Sequence, residues 1–328
     1  MKRRSVISLA LGCSILSLSS LWPHVHAADA YPDRSMRMIV GYPVGGNVDT
    51  VARLVAEELG KVLHQPVVVD NRGGASGQIA AAAVAQAAPD GYTIFLGASP
   101  ELAIAHALKK KLPYDSQTHF QPLSLATVIP FVLVVNPQVP VKSLQELRDY
   151  AKAHPGTLNY ASFGNGSSNH LFAELFKSRT GMQMAHIPYK GGGPAMTDLL
   201  GGQVQMEFES LGVVMPHVVA GKLRALAVAL PERTPLAPDV PTMAELGFPG
   251  LEGGTWNGFV GPAGMPEPIV EKLSAALQQA INSPSVSKVL LEKGLTPSAT
   301  TPEEFGAFIA SEIERWASVA DTAGIRVE

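Results

Sequence analysis

Two glycine-bearing turns, far apart in the chain, constrain this sequence more than any other feature. One spans residues 41–50 and the other spans residues 162–170, and each joins a β-prone run to a helical pattern. Glycine lets the backbone turn sharply and approach a ligand, while the first N–H groups of a helix have no partner inside it. Because the helix dipole adds to these donors, each turn is suited to an anion such as a carboxylate. Two such turns facing one another would form a clamp for a small organic acid.

Strand-like and helix-like segments alternate around the first turn. Strands are predicted over residues 36–42, 66–70 and 93–96, and helices over residues 47–63 and 78–88. That order predicts a parallel sheet with right-handed crossovers. Ligands of such sheets bind beyond the carboxyl ends of the strands, which is where the glycine turns fall.

The same alternation starts again at the apolar run of residues 131–135. Two similar α/β lobes, with the chain crossing between them near 125–130 and returning near 250, would enclose a cleft. Hinge closure around that cleft would be the natural motion. We therefore expect a first lobe of residues 31–128 plus 252–328 and a second lobe of residues 129–251.

The N-terminus has the three parts of a secretory signal peptide. Basic residues at positions 2–4 precede an apolar, serine-rich run over residues 6–22, and a small-x-small cleavage site ends at Ala27. We expect residues 1–27 to be removed and the mature protein to reside in the periplasm.

Two other interpretations of the N-terminus fit less well. A retained membrane anchor is disfavoured by the serines of the apolar run and by Pro23. A lipoprotein signal at Cys13 is disfavoured because Ala10 stands where such signals normally carry leucine. Since Cys13 is the only cysteine, the mature chain would have no disulfide and no thiol nucleophile.

The charge of the mature chain argues against two classes of partner. Without the three basic residues of the signal peptide, the 28 acidic residues outnumber the basic ones, and the net charge is −6. A mildly acidic chain without basic runs is not typical of proteins that bind nucleic acid or anionic membranes. The one local cluster, three lysines at 109–111, is interpreted as a solvated helix end.

A series of short motifs runs through nearly the whole mature chain. They include Pro43-x-Gly45-Gly46-x-x-Asp49, Asp70-Asn71-Arg72-Gly73-Gly74-Ala75, Ala88-Pro89-Asp90-Gly91-Tyr92-Thr93, Leu158-Asn159-Tyr160-Ala161-Ser162, His186-Ile187-Pro188-Tyr189-Lys190-Gly191 and Thr301-Pro302-Glu303-Glu304-Phe305. In their order they resemble the extracytoplasmic solute receptors of tripartite tricarboxylate transporters, the Bug-type receptors. No single motif decides the resemblance, but the ordered series is specific.

The resemblance implies an α/β, two-lobed type II periplasmic-binding-protein fold with its ligand in the interlobe cleft. It implies a small organic carboxylate ligand, delivery to the inner-membrane permease subunits of a tripartite transporter, and no cofactor or metal. We expect a monomer. The implied ligand-binding residues are Tyr42, Pro43, Gly45, Gly46, Asp49, Ala98, Ser99, Ser162, Asn165, Gly166, Ser167, His170, Tyr189 and Glu209. Glu209 departs from relatives that often carry aspartate there, so the distal end of the ligand pocket would differ if Glu209 faces the cleft.

Several of these residues also have a purely structural interpretation. Asp49 is suited to stabilising the first turn of its own helix, and Ser167 is a good N-cap. His170 could be a hydrogen-bonded helix residue, and packing is the default role of Tyr189. The glycines are the firmest candidates, because backbone donors require space rather than a particular side chain.

A secreted hydrolase is the main alternative, with a Ser/His/Asp site in the same cleft. The chain has the ingredients in its serines, His170 and several aspartates, but it lacks a Gly-x-Ser-x-Gly nucleophile elbow. The histidine spacing does not indicate a metal site, and the glycine patterns do not match nucleotide-binding motifs. The sequence therefore predicts capture of a solute without chemistry, and it leaves the identity of the solute open.

Overall fold

A computed structural model describes residues 31–325 of the chain. The predicted signal peptide and Cys13 lie outside the described residues. Within the described range, no helix is both long enough and apolar enough to cross a membrane.

The first part of the chain forms the predicted parallel unit. Strands β1 (Met36–Val40), β2 (Val67–Asn71) and β3 (Thr93–Ala98) pair in parallel in the order β2-β1-β3. Between them lie α1 (Asn47–Leu63) and α2 (Gln78–Ala85), the latter preceded by a 3-10 turn at Ala75–Gly77. A π-helical turn, Pro100–Ile104, and the short helix α3 (Ala105–Ala107) follow β3. The predicted bounds of α1 are confirmed because its apolar residues recur at helical spacing and are buried.

Two long strands extend this sheet in the antiparallel direction. Strand β4 (Phe120–Val135) pairs over its first part with β9 (Gly254–Pro262), which in turn pairs with β3. The second part of β4 pairs with β7 (Met206–Ser210) and β8 (Arg224–Val228). The sequence predicted only residues 131–135 of β4 as strand, with a crossing before it. Two β-bulges in the pairing with β9 interrupt regular alternation, which hid the first part of the strand.

The second part of the molecule repeats the parallel unit. Strand β5 (Asn159–Ser162) pairs in parallel with both β6 (Ala185–Pro188) and β7. The helices of this part are α4 (Leu144–Ala153), α5 (Ser168–Thr180), α6 (Gly192–Leu200) and α7 (Leu211–Val219). The C-terminal elements are α8 (Glu267–Ile281), α9 (Pro284–Glu292), β10 (Thr296–Pro297) and α10 (Pro302–Ala323). Neither α7 nor α9 was predicted from the sequence.

Each part of the sheet has its own apolar cores. We call the part around β1–β3, β9 and β10 the first half and the part around β5–β8 the second half. Helices α1 and α8 pack on the first half, and α5 packs on the second. Helix α10 joins the two, since Phe305 packs against Trp256 in the first half and Trp316 lies in the core of the second. The division into lobes of residues 31–128 plus 252–328 and 129–251 stays a prediction.

Candidate functional site

A cleft of about 360 Å³ lies between the two halves. The first half contributes loops after its strands, and the second half contributes the second glycine turn and the start of α5. The lining residues are Tyr42, Ser76, Gln78, Pro100, Ile104, Ala105 and Lys110 on one side, with Phe163, Gly164, Asn165, Gly166, Ser167, Ser168 and Gly191 on the other. Loops from the carboxyl ends of parallel strands thus meet at one cavity, as the strand order predicted.

Four of the fourteen predicted site residues line this cleft: Tyr42, Asn165, Gly166 and Ser167. Pro43, Gly45 and Gly46 follow Tyr42 directly, are exposed to solvent and lie outside the lining. The others lie behind the lining, buried or partly buried: Asp49, Ala98, Ser99, Ser162, His170, Tyr189 and Glu209. The structure therefore brings together the second turn and one residue of the first.

Hydrogen bonds inside the second turn fix its shape. Gly164 and Gly166 have φ of 124° and 72°, values that favour glycine. The hydroxyl of Ser167 lies 2.7 Å from the carbonyl oxygen of Gly164, to which it donates. Ser167 is the N-cap residue of α5, but its side chain does not accept a hydrogen bond from the helix. The first N–H groups of α5 thus have no side-chain acceptor at the N-cap, and the helix begins beside the cleft, which Ser168 lines.

Three stacked rings support the second turn from behind. The rings of His170 and His186 lie 3.9 Å apart and nearly parallel, and His186 stacks in turn on Tyr160 at 4.9 Å. The N–H of Gly166 donates to Nδ1 of His170 over 3.0 Å. Burial lowers the pKa of His170, and burial with the neighbouring His170 lowers the pKa of His186 to about 4. His170 is thus neutral at pH 7, as an accepting Nδ1 requires, and it positions the turn from outside the lining.

Ser162 and His186 form a contact that resembles that of a nucleophile and its base. Oγ of Ser162 lies 2.6 Å from Nε2 of His186. Ser162 is fully buried, however, and does not line the cleft. Within residues 31–325, no carboxylate hydrogen-bonds to the His186 ring to orient it. The pair therefore lacks the access and the third group that a hydrolytic triad needs.

Asp49 stabilises the first turn through contacts with the protein. Its buried carboxylate accepts hydrogen bonds from the N–H of Gly45 at 2.9 Å, from Nδ2 of Asn71 at 2.9 Å and from Nε of Arg53 at 3.0 Å. Burial alone would raise the pKa of Asp49, but these hydrogen bonds outweigh it and lower the pKa. The arrangement ties the first turn to α1 and β2.

A third glycine turn, residues 73–77, supplies Ser76 to the cleft and leads into Gln78. Its glycines mark this turn in the sequence, but the predicted ligand-binding set contains none of its residues. Ser76 has a φ of 51°, in the left-handed region that non-glycine residues avoid. A Cβ at Gly77 would lie 2.6 Å from the carboxyl carbon of Glu101, so only glycine fits at that position.

Glu101 is a buried carboxyl group under the first half of the cleft. It accepts hydrogen bonds from the hydroxyl of Tyr42 at 2.8 Å and from the N–H of Ala98 at 2.7 Å. Burial raises its pKa to about 8, so the group is mostly protonated at pH 7. Glu101 thus fixes the ring of Tyr42, the first-turn residue that lines the cleft.

Two further buried carboxyl groups lie behind the second half of the cleft. Glu207 accepts a long hydrogen bond of 3.4 Å from Nδ2 of Asn169, and burial with the charge of Glu209 raises its pKa to about 9. Its other carboxyl oxygen is buried without a hydrogen-bond partner among residues 31–325. Burial also raises the pKa of Glu209, which lies close to Gly192 rather than in the lining.

The remaining predicted residues contact protein groups. The hydroxyl of Tyr189 donates to Asp198 over 2.7 Å, and the hydroxyl of Ser99 lies 2.7 Å from that of Thr255. The prediction that the three lysines form a solvated helix end holds for Lys109 and Lys111 and is wrong for Lys110, which is half-buried and lines the cleft.

Comparison with known proteins gives consistent matches. The pattern of the tripartite tricarboxylate transporter family receptors matches residues 51–325. The chain is 41% identical to protein BugT of Bordetella pertussis (strain Tohama I), over 92% of this chain and 93% of that one.

Two solved structures resemble the described residues closely. Rpa4515 of R. palustris with adipate is 36% identical with a TM-score of 0.78, and the match covers 90% of this chain and 99% of that one. MatC (Rpa3494) from Rhodopseudomonas palustris with bound malate is 37% identical with a TM-score of 0.73, over 88% of this chain and 99% of that one. The predicted two-lobed α/β fold class is confirmed by these likenesses.

Proposed function

Since the chain belongs to the tripartite tricarboxylate transporter receptor family, we propose that its cleft captures a small organic acid in the periplasm for an inner-membrane permease. Members of this family are solute-binding receptors, and this chain is one of them rather than an enzyme. The relatives with adipate and with malate bind carboxylates, which supports a carboxylate as the ligand here.

The observation that carries the proposal is the uncapped N-terminus of α5 beside the interlobe cleft. Ser167 leaves the first N–H groups of the helix without a side-chain acceptor, and Ser168 borders the cavity. A ligand carboxylate would accept hydrogen bonds from these N–H groups and would lie in the favourable field of the helix dipole. The N–H of Gly166 already donates to the neutral ring of His170. The donors to the ligand would therefore be the N–H groups of Ser168 and of the residues that follow it.

Closure of the two halves would complete the site. The first half would then cover the bound acid with Tyr42 and the third glycine turn. A ligand that contacts both halves stabilises the closed state by its differential affinity for that state. We expect the closed surface to be what the permease recognises, the mature protein to begin after about residue 27, and the receptor to act as a monomer.

A thermal-shift screen of the mature protein tests this function. The panel would contain mono-, di- and tricarboxylates, acidic amino acids and aromatic acids. A ligand at one hundred times its dissociation constant adds about 2.7 kcal/mol to the free energy of unfolding, which raises the melting temperature visibly. We expect at least one acid to do so and to be recovered unchanged by NMR. Conversion of the acid into a product would contradict the proposal, and so would a panel without any shift.

A charge placed at the start of α5 separates binding from folding. The variant Ser168→Asp puts an anion where the ligand carboxylate would lie, while an acid in the first turn favours the helix itself. We expect the ligand-induced shift to disappear, and we expect the helix dipole to offset part of the cost of placing a carboxylate at Ser168, which is 7% exposed, so that the ligand-free protein stays folded. Ser285→Asp, in the first turn of α9 and exposed, is the matched control and keeps the shift.

A further inference from the structure

The cleft wall carries one charged side chain among its lining residues, all of them within the described range. That side chain is Lys110, which lies on the segment between α3 and β4. The start of α5, which also borders the cleft, supplies the second region of positive potential through its N–H groups and dipole. The cleft therefore has two separate places that favour negative charge, one at Lys110 and one at the start of α5.

The backbone after α3 explains why Lys110 reaches the cleft. The N–H of Lys110 donates to the carbonyl of Ala105 over 3.1 Å, and the N–H of Lys109 donates to the carbonyl of His106 over 2.8 Å. Lys109 has a φ of 54°, so the pair forms a Schellman motif with Lys109 in the left-handed position. This motif folds the chain back over the end of the helix, which brings Lys110 beside Ala105 and Ile104 in the cleft wall.

The three consecutive lysines have different surroundings. Lys109 is exposed and lies 3.6 Å from the carboxylate of Asp321, and Lys111 is exposed outside the lining. Within residues 31–325, the ammonium group of Lys110 has neither an ion-pair nor a hydrogen-bond partner. An unpaired ammonium group in a concave, partly desolvated site attracts an anionic group more strongly than one on the open surface.

From this geometry we infer that Lys110 is a specificity-determining residue that binds the second anionic group of a dianionic acid whose first carboxylate lies at the start of α5. The inference rests on the proposed function and deepens it. A dianion would reach both Lys110 and the start of α5, whereas a monoanion would satisfy only one of them. Lys110 would therefore select acids by charge as well as by length.

Pairs of ligands that differ in one charge test the inference. Succinate, glutarate and adipate would each be compared with their monomethyl esters, which keep the length and remove one carboxylate. Isothermal titration calorimetry would give the ratio of the two dissociation constants for the best-binding pair. We expect the wild type to bind the diacid at least tenfold more tightly than its half-ester.

Three variants assign that ratio to Lys110. In Lys110→Met the ratio falls to within twofold of one, while the affinity for the half-ester stays within about threefold of the wild type. Lys110→Arg restores most of the preference because it restores the charge. Lys111→Met, one residue further along and outside the lining, keeps the wild-type ratio.

The outcomes distinguish failure of the inference from failure of the function. A Lys110→Met variant that keeps the diacid preference overturns the role of Lys110, and so does a wild type that binds a diacid and its half-ester equally. In both cases the proposal that the protein is a carboxylate receptor would remain valid. A wild type that binds no acid in this set or in the wider panel overturns the proposed function and the inference together.

Discussion

Buried ionisable residues behind the cleft determine which groups remain free to meet a ligand. Asp49, Glu101 and Glu207 are all fully or nearly fully buried, and each accepts a hydrogen bond from a residue in or next to a segment that lines the cleft. The carboxylate of Asp49 is stabilised by donors, whereas the carboxyl groups of Glu101 and Glu207 are protonated near neutral pH. At this scale the acids shape the loops, and they leave the cleft itself without a negative charge.

Substitution of Asp49 is therefore expected to lower the free energy of unfolding rather than to remove a ligand contact. Asp49→Ala removes the acceptor for Gly45 N–H and for the Asn71 side chain, which lie in a partly buried site. Leaving such donors unpaired costs about 1–3 kcal/mol each, so we expect the free energy of unfolding at pH 7 to fall by about 2–3 kcal/mol. Urea unfolding measures it. The exposed Asp149→Ala is the control and should change stability by less than about 0.5 kcal/mol.

The pH dependence of this effect has a definite sign. Because the folded-state pKa of Asp49 lies below its unfolded value, its stabilisation is present above the unfolded pKa and is lost as the pH falls. An Asp49→Ala variant of unchanged stability that has lost ligand binding would instead make Asp49 a ligand contact.

Glu207 is expected to give stability the opposite pH dependence from Asp49. Its folded-state pKa of about 9 lies above the unfolded value of about 4.3, so the folded state must bind a proton throughout that interval. The free energy of unfolding is then highest below the unfolded pKa and falls as the pH rises toward 9, by at most about 1.4 kcal/mol per pH unit. Glu207→Gln removes this loss, because the amide is neutral at every pH.

The measurement is the stability difference between Glu207→Gln and the wild type at pH 5, 6, 7 and 8. We expect the free energy of unfolding of Glu207→Gln to rise relative to that of the wild type at each higher pH. The exposed Glu232→Gln should show no such trend. A difference that is flat across this range would mean that Glu207 is ionised in the folded protein.

At the scale of elements, the residues that border the cleft are positioned by the ends of helices rather than by their middles. The start of α5 opens into the cleft, and the Schellman motif after α3 brings Lys110 to it. Lys109 occupies a left-handed position that glycine normally takes, at a cost of roughly 1–2 kcal/mol for a residue with a Cβ. The motif thus carries strain at Lys109, directly before the lysine that lines the cleft.

Lys109→Gly is expected to release part of this strain. Its exposed ion pair with Asp321 is worth little, so we expect the melting temperature to rise and the free energy of unfolding to increase by about 0.5–1 kcal/mol. Thermal and urea unfolding measure both. Lys111→Gly is the control and should be neutral or slightly destabilising, and a fall in stability for Lys109→Gly would contradict the account of this turn.

The sequence predicted elements whose signals are local and missed features that depend on tertiary packing. The bounds of α1 follow from its own apolar spacing. The helix end before Lys110 carries no glycine, so nothing marked the reversal that turns this lysine into the cleft. Glu207 and Glu209 alternate with Phe208 as they would on a strand with one solvated face, but α6 covers that face and α5 covers the face of Phe208. Burial of this kind appears only when the helices are in place.

At the scale of the whole molecule, few connections join the two halves of the sheet. Strand β4 runs through both halves. Its pairing with β9 ends near Phe131, whose N–H donates to the carbonyl of Gly253 over 3.1 Å. Helix α10 packs on both cores. We propose that bending near residues 130 and 253 closes the cleft, since closure about a few residues is typical of two-lobed receptors.

The most direct test of a carboxylate clamp between two halves is a crystal structure of the mature protein with the acid that most raises its melting temperature. We predict one carboxylate at the N-terminus of α5 beside Ser168, an acid enclosed by both halves, and the two halves closer together than in the ligand-free structure. An acid bound outside the cleft, such as in the groove of about 410 Å³ lined by Glu174, Arg179 and Thr322, would contradict this account. So would an acid held in the cleft by one half alone, with the halves unmoved.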